Sequence, residues 1–350
     1  MTNTITSNEY DHGSLGAWHE FKDEAPKPED LVRLYSQGGY DENGHLVKAV
    51  GSVRNPEKFA SLCSSLTAKQ GGFLFGQVAI HLEKTGRGKI SLPYKAVLQL
   101  EPEFGGYEPQ TTGDCVSHAT RNSGMLDYCI DAAFGETDYK GRLATENIYG
   151  WRGHGGQGAS CSDLCGYVSD DGPGGFLVRG DYSSGSNSED LSSYNSRTGH
   201  NWGRRGTPGW LNKIAAKNKS KHVALITNTD ELCDAIGNGY GVAVCSDYGF
   251  NSDRGRFGVA RPRGSWSHAM TFIGCIDDED NEAYKHYGER LFLIQNSWGD
   301  WISGPTYLDQ PVGSFWVTDR VAGRMLNARG SWLISRVDGI NRRDISYLHI

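Results

Sequence analysis

The order of apolar patterns along the chain predicts an α+β fold. From Cys115, small or apolar residues recur through Val116, Ala119, Ser123, Leu126, Ile130 and Ala133, close to helical spacing, and the pattern stops at Phe134-Gly135, where a glycine commonly ends a helix. From about residue 222 onward, compact apolar runs of strand length take over: His222–Thr227, Gly241–Ser246, His268–Cys275, Arg290–Asn296, Ser314–Thr318 and Ser331–Ser335. Helical patterns gather in the first part and strands in the second, which is the segregation of an α+β domain rather than the alternation of an α/β one.

The chain has 350 residues, enough for one large domain or two moderate ones. A hydrophobic content of 37% with 11% aromatics supports a packed core, and 47 glycines call for long loops. The net charge of −7 argues against a nucleic-acid partner held by a basic surface. Met1–Tyr10 is polar and lacks the apolar stretch of a secretory leader, and no run approaches the roughly 20 apolar residues of a membrane span. A cytoplasmic or virion-associated protein is therefore expected, with no membrane partner. None of the eight cysteines sits in a CxxC pair, so reduced thiols are the default expectation.

Taken in order, residues 1–95 read as an N-terminal extension: an arm, a pro-segment or an assembly region. Glu24–Glu29 is linker-like, and Asp30–Ser36 and Asn55–Ala68 carry short helical patterns. Phe73–Leu82 and Ile90–Leu100 read as strands separated by the turn Lys84–Lys89. Nothing in this extension carries recognisable chemistry. Beyond the Cys115 helix, Gly153–Gly158 formally matches GxGxxG but lacks the preceding strand and later acidic residue of a dinucleotide site. The useful reading is a loop whose backbone lies open to an extended substrate. Ser160 then caps a short helix bearing Cys161, Leu164, Cys165 and Val168. Its two cysteines share one face as buried thiols, and with no second ligand pair beside His154 no metal is expected. Residues 183–209, with Trp202 and Trp210, form a long polar loop. A helix is expected at Asp230–Gly237, and residues 336–350 form a C-terminal tail.

The chemistry centres on Cys115. Asp114 is a good N-cap residue, and a cysteine directly after it meets the positive end of the helix dipole, which favours thiolate. Such a nucleophile needs a base, a group that orients the base, and donors for an oxyanion. His268 opens one strand. Asn296 closes another, directly before Ser297-Trp298-Gly299, and an asparagine can fix an imidazole tautomer while a tryptophan shields the bond. Gln110, on the turn before Cys115, is placed to donate its amide beside the Cys115 backbone N–H. His118 competes as base but sits three residues along the same helix, leaving little room for substrate.

These residues resemble those of the papain-like cysteine peptidases. The matches are Gln110 with Gly113-Asp-Cys115, Ser267-His268-Ala269, and Gln295-Asn-Ser-Trp-Gly299, in the family's order. Gly313–Val317, Glu231–Ser246 and Gly158-Ala159-Ser160 match more softly, so that the resemblance covers residues 96–335. It implies a two-lobe fold, a helical lobe at about 110–221 and an antiparallel β-barrel-like lobe at about 222–335, with the site in the cleft between. It also implies hydrolysis of peptide bonds through a Cys115 thioester without a cofactor. His268 would be base and then acid, Asn296 its orienter, and Gln110 an oxyanion donor. Gly158, Ala159 and Trp298 would touch a polypeptide substrate. The sequence departs from the family at Val116, where an aromatic is usual, and at Ile302, which follows Trp301. Gln110 is one residue closer to the cysteine than usual, Thr112 replaces a disulfide cysteine, and residues 1–95 differ from the usual inhibitory propeptide. The alternative is a structural or binding protein, such as a virus-particle component, that keeps the fold and assembles through residues 1–95 and 183–209.

Overall fold

Strand pairing organises the molecule. The computed structural model describes residues 27–37, 39–40, 46–47, 74–104, 108–335 and 340–345; the helical pattern at Asn55–Ala68 lies outside them. The main sheet runs in the order Ser314–Thr318, Leu291–Gln295, Ala260–Ile276, Val242–Arg254, Ser331–Ser335 and His222–Leu225, each neighbour antiparallel to the next. Ile90–Ser91 pairs with the Cys275–Ile276 end of the third of these. Register places Val244 opposite Met270, Cys245 opposite Ala269 and Ser246 opposite His268.

Successive residues of a strand face opposite sides, and here both sides are buried. Val242, Val244, Met270, Phe272, Phe292 and Ile294 join one apolar cluster, with Leu232 and Ile236 of the Thr229–Gly237 helix and Met325 and Leu326 of the Asp319–Arg329 helix. Ala243, Cys245, Ala269, Ile273, Leu291 and Leu293 join the other, with Val116, Met125 and Leu126 of the Cys115–Ala133 helix. Helices therefore cover an antiparallel sheet on both faces, an α+β architecture as the patterns foretold. Two-sided burial is also why the strands read as unbroken apolar runs.

The Cys115–Ala133 helix is buried from Cys115 to Asp131, and Gly135 follows it at φ +73°. Gly124 lets it press on Phe176, since a Cβ there would lie 2.5 Å from Phe176 Cζ. Asp114 occupies the N-cap position but its carboxylate does not cap. It accepts instead from the Tyr194 hydroxyl at 2.7 Å.

Several expectations need correction. The strand expected at Phe73–Leu82 is absent from its described residues, 74–82: Phe75–Val78 is α-helical and Ile80–Leu82 is a 3₁₀ turn, with Phe75, Ala79 and Leu82 buried at helical spacing. Of Ile90–Leu100 only Ile90–Ser91 is strand. Tyr94–Leu100 is helical, because Pro93 suits the start of a helix and Tyr94 and Val97 bury against the Cys115–Ala133 helix. The polar stretch 183–209 is not loop throughout. It includes the hairpin Asp181–Ser184/Asn187–Asp190 and the helix Ser196–Trp202, capped by Asn195 and held by Arg152, which donates to the Gly199 and His200 carbonyls. Nor are the thiols all reduced. Cys161 is joined to Cys245, 84 residues away, whereas Cys165 stays a free buried thiol beside Thr120. Local spacing reveals neighbours on a helix, and this pairing is made by the sheet.

Candidate active site

Four elements converge on Cys115. It opens the long helix; His268 lies within the Ala260–Ile276 strand; Asn296 follows the Leu291–Gln295 strand; Gln110 lies on the turn before the helix. That turn is tied to the asparagine segment, since the Gln110 backbone N–H donates to the Ser297 carbonyl at 2.8 Å. Ser297 Oγ donates to Gln110 Oε1 at 2.5 Å, which fixes the carboxamide and turns Nε2 towards the Thr112 carbonyl at 2.9 Å and the Tyr35 hydroxyl at 3.3 Å.

His268 Nε2 contacts Asn296 Oδ1 at 2.7 Å. The Ser297 backbone N–H also donates to that oxygen, which identifies it as the acceptor. Nε2 therefore carries the proton and Nδ1 holds the lone pair. Nδ1 is buried and has no hydrogen-bond partner among the described residues. The Cys115 thiol is met by the backbone N–H of Ala269, the residue after His268, and by the Tyr35 hydroxyl. Trp298 packs against the imidazole with ring centres 4.5 Å apart and planes tilted by 34°.

Cys115 and His268 are both 0% exposed, and electrostatics follow from that burial. Desolvation pushes the Cys115 thiol up to about 12, helped by the Asp114 charge and opposed by the Ala269 and Val116 amides and the Tyr35 hydroxyl. Desolvation likewise pulls His268 down to about 3; the Asn296 bond opposes this and His118 adds to it. The helix dipole is outweighed, and the expectation of a ready thiolate is corrected: in this arrangement the pair is neutral. His118 is turned away, its Nδ1 accepting from Arg121 at 3.2 Å and its Nε2 lying 3.4 Å from Asp114 Oδ2.

The glycine loop does not lie open as expected. Gly158 is buried with its N–H donating to the Gly113 carbonyl at 3.0 Å, and Ala159 is wholly enclosed. Gln157 Oε1 completes the tie, accepting from Thr112 Oγ1 at 2.7 Å, the Gly113 N–H at 2.8 Å and the Tyr149 hydroxyl at 3.0 Å. This loop braces the turn carrying Gln110. Among the described residues no group of three or more His, Cys, Asp or Glu side chains is placed to hold a metal ion. No described helix is long and apolar enough to cross a membrane.

Sequence reasoning missed Tyr35 and Trp266, and it gave Ser297 no role of its own. Tyr35 comes from the Pro28–Ser36 helix of the extension, in which Leu31, Leu34 and Tyr35 are all buried. The signal was there: apolar residues at i, i+3 and i+4 in a polar arm mark a face that must be covered. Its ring lies 4.8 Å from that of His268 and 5.0 Å from that of Trp298. Trp266 stands two residues before His268 on one strand and packs on Trp298 at 4.8 Å.

No family model matches the chain, and no curated protein matches it. Several solved structures resemble it at low identity. Xylellain, a cysteine protease from Xylella fastidiosa, is 18% identical with a TM-score of 0.44, covering 73% of this chain and 97% of its own. Digestive procathepsin L 3 of the Tenebrio molitor larval midgut is 14% identical at 0.40, covering 79% and 90%. The proform of the ragweed pollen cysteine protease Amb a 11 is 14% identical at 0.40, covering 81% and 88%.

Proposed function

We propose that this chain is a cysteine peptidase held closed by its own N-terminal helix. The observation that carries the reading is the His268–Asn296 contact of 2.7 Å. It commits Nε2 to the asparagine and leaves the Nδ1 lone pair uncommitted among the described residues. On this reading a polypeptide displaces Tyr35. Cys115 passes its proton to Nδ1 and its sulfur attacks the scissile carbonyl carbon. The Cys115 backbone N–H and Gln110 Nε2 hold the oxyanion, each such donor being worth about 3 kcal/mol in acyl transfer. The imidazolium then gives its proton to the departing amine, and water hydrolyses the thioester with His268 again as base.

The neutral state fits a site at rest. Burial is the largest influence on both Cys115 and His268, so admitting water and substrate moves the two pKa values towards each other. Iodoacetamide labelling with the modified residue mapped by mass spectrometry tests this. Tyr35→Ala is expected to label at Cys115 at least about tenfold faster than the wild type, and adding His268→Ala abolishes the gain. A second reading, an assembly protein without turnover that acts through residues 1–95 and 183–209, is favoured by the complete enclosure of Cys115 and His268. It predicts that Cys115 in Tyr35→Ala labels no faster than the other buried thiols, and that the protein co-purifies with a large particle.

A further inference from the structure

Gln157 holds the turn that carries both oxyanion donors. Within that turn the Thr112 carbonyl accepts from Gln110 Nε2 at 2.9 Å and from the Asp114 backbone N–H at 2.9 Å. One oxygen therefore sets the direction of the Gln110 carboxamide and of the backbone leading into the Cys115 N–H. With Thr112 in place of the family's disulfide cysteine, polar contacts hold this turn. They converge on Gln157 Oε1, which takes the Thr112 hydroxyl at 2.7 Å, the Gly113 N–H at 2.8 Å and the Tyr149 hydroxyl at 3.0 Å. A backbone N–H can only donate, so the Gly113 contact identifies this atom as the oxygen. Gly113 is also pressed against it: a Cβ there would lie 3.0 Å from Gln157 Oε1 and 2.9 Å from the Gly158 nitrogen.

We propose that Gln157 is a positioning residue of the oxyanion site. Its carboxamide oxygen, by holding Thr112 and Gly113, fixes Gln110 Nε2 and the Cys115 N–H at the spacing a developing oxyanion needs. The inference rests on the peptidase reading and adds a residue to it. The side-chain hydrogen bonds of Gln157 go to the turn and to Tyr149, not to the sulfur or the imidazole. Its loss therefore spares the attack of the thiol on a reagent without a carbonyl, and weakens what places charge on oxygen. Preorganised donors are sensitive to small displacements, and a misplacement of about 1 Å costs up to about a hundredfold.

The test uses the full chain carrying Tyr35→Ala as the open parent. To it are added, singly, Gln157→Met, which keeps the length and removes the carboxamide, and Thr112→Val, which removes one of the donors. Peptide aldehydes probe the oxyanion donors. The Cys115 sulfur adds to the aldehyde carbon, the thiol proton passes to His268, and the carbon–oxygen π pair moves onto the oxygen that the two N–H groups hold. A pool of N-acetyl dipeptide aldehydes and the matching alcohols are compared as protectors of Cys115 against methyl methanethiosulfonate, which has no carbonyl. Gln157→Met should weaken aldehyde protection about tenfold or more, and Thr112→Val by less, while alcohol protection and the unprotected labelling rate stay near the parent's. Thr112→Val decides the matter where Gln157→Met does not fold. Labelling, alcohol and aldehyde protection all falling together is the mark of a merely structural turn; that result, or aldehyde protection unchanged, overturns the positioning role. An open parent protected no better by aldehydes than by alcohols overturns the peptidase reading itself, and the role of Gln157 falls with it.

Discussion

His268 shows how one buried side chain ties stability to pH. Its ordinary pKa is 6.5 and the fold pulls it to about 3, chiefly by desolvation. The folded state therefore resists a proton that the unfolded chain takes up readily. Stability from this group is fully present above 6.5 and is lost as the pH falls from there towards 3. The loss approaches about 1.4 kcal/mol per pH unit inside that window. Urea unfolding at pH 7 and pH 4 should thus show a larger drop for the wild type than for His268→Gln, by a few kcal/mol (about 3); equal drops would mean the imidazole titrates normally. At this scale much was legible. Cys115, His268, Asn296 and Gln110 are chemistry-bearing types beside turns and strand ends, and the structure brings them together. What was illegible was their protonation, since a dipole at the helix tip is a local property and desolvation is a property of everything packed around it. Asp114 shows the same limit: a residue suited to capping was taken by Tyr194, 80 positions away.

Among the elements, those with strong internal periodicity were legible and those defined by a partner were not. The Cys115–Ala133 helix has nineteen residues of consistent pattern. Tyr94–Leu100 has seven, too few to separate helical from strand spacing without knowing that a helix lies beneath it. The Pro28–Ser36 helix is shorter than isolated helices that persist in water, so its order depends on docking through Leu31, Leu34 and Tyr35. Each buried leucine cut to alanine costs about 2–5 kcal/mol. The expected result of Leu31→Ala with Leu34→Ala is an undocked helix on a folded body. Cys115 should then alkylate faster although Tyr35 is unchanged, while the far-ultraviolet spectrum and main unfolding transition stay near wild type. Unchanged labelling would place the seal elsewhere.

For the whole molecule the lesson is that long-range covalent and polar ties join segments around the site that are distant in sequence. A buried chain runs from Arg121 through Glu108 and Arg179 to Glu146, with contacts of 2.8, 2.8 and 2.7 Å, and Arg343 reaches Asp127 at 2.6 Å. These pairs join segments that no local pattern connects, so composition foretold charge and not its arrangement. The Cys161–Cys245 bond is the strongest such tie. Cys245 faces Ala269 across the sheet, one position from the Ser246–His268 pair, so the bond anchors the Cys161–Val168 helix next to the candidate base. Closing a loop of this length restricts the unfolded chain by about 4.6 kcal/mol. Cys161→Ser and Cys245→Ser should therefore each lower stability by about that amount under non-reducing denaturation. Because both remove one and the same bond, the double variant should fall scarcely below either single one. A thiol count on the denatured, non-reduced wild type should be two lower than in the reduced protein, since among the described residues Cys161 and Cys245 are the cysteines joined. Losses that simply add would show that the cysteines contribute separately by packing, and the tie between helix and sheet would have to be carried by their shared apolar cluster instead.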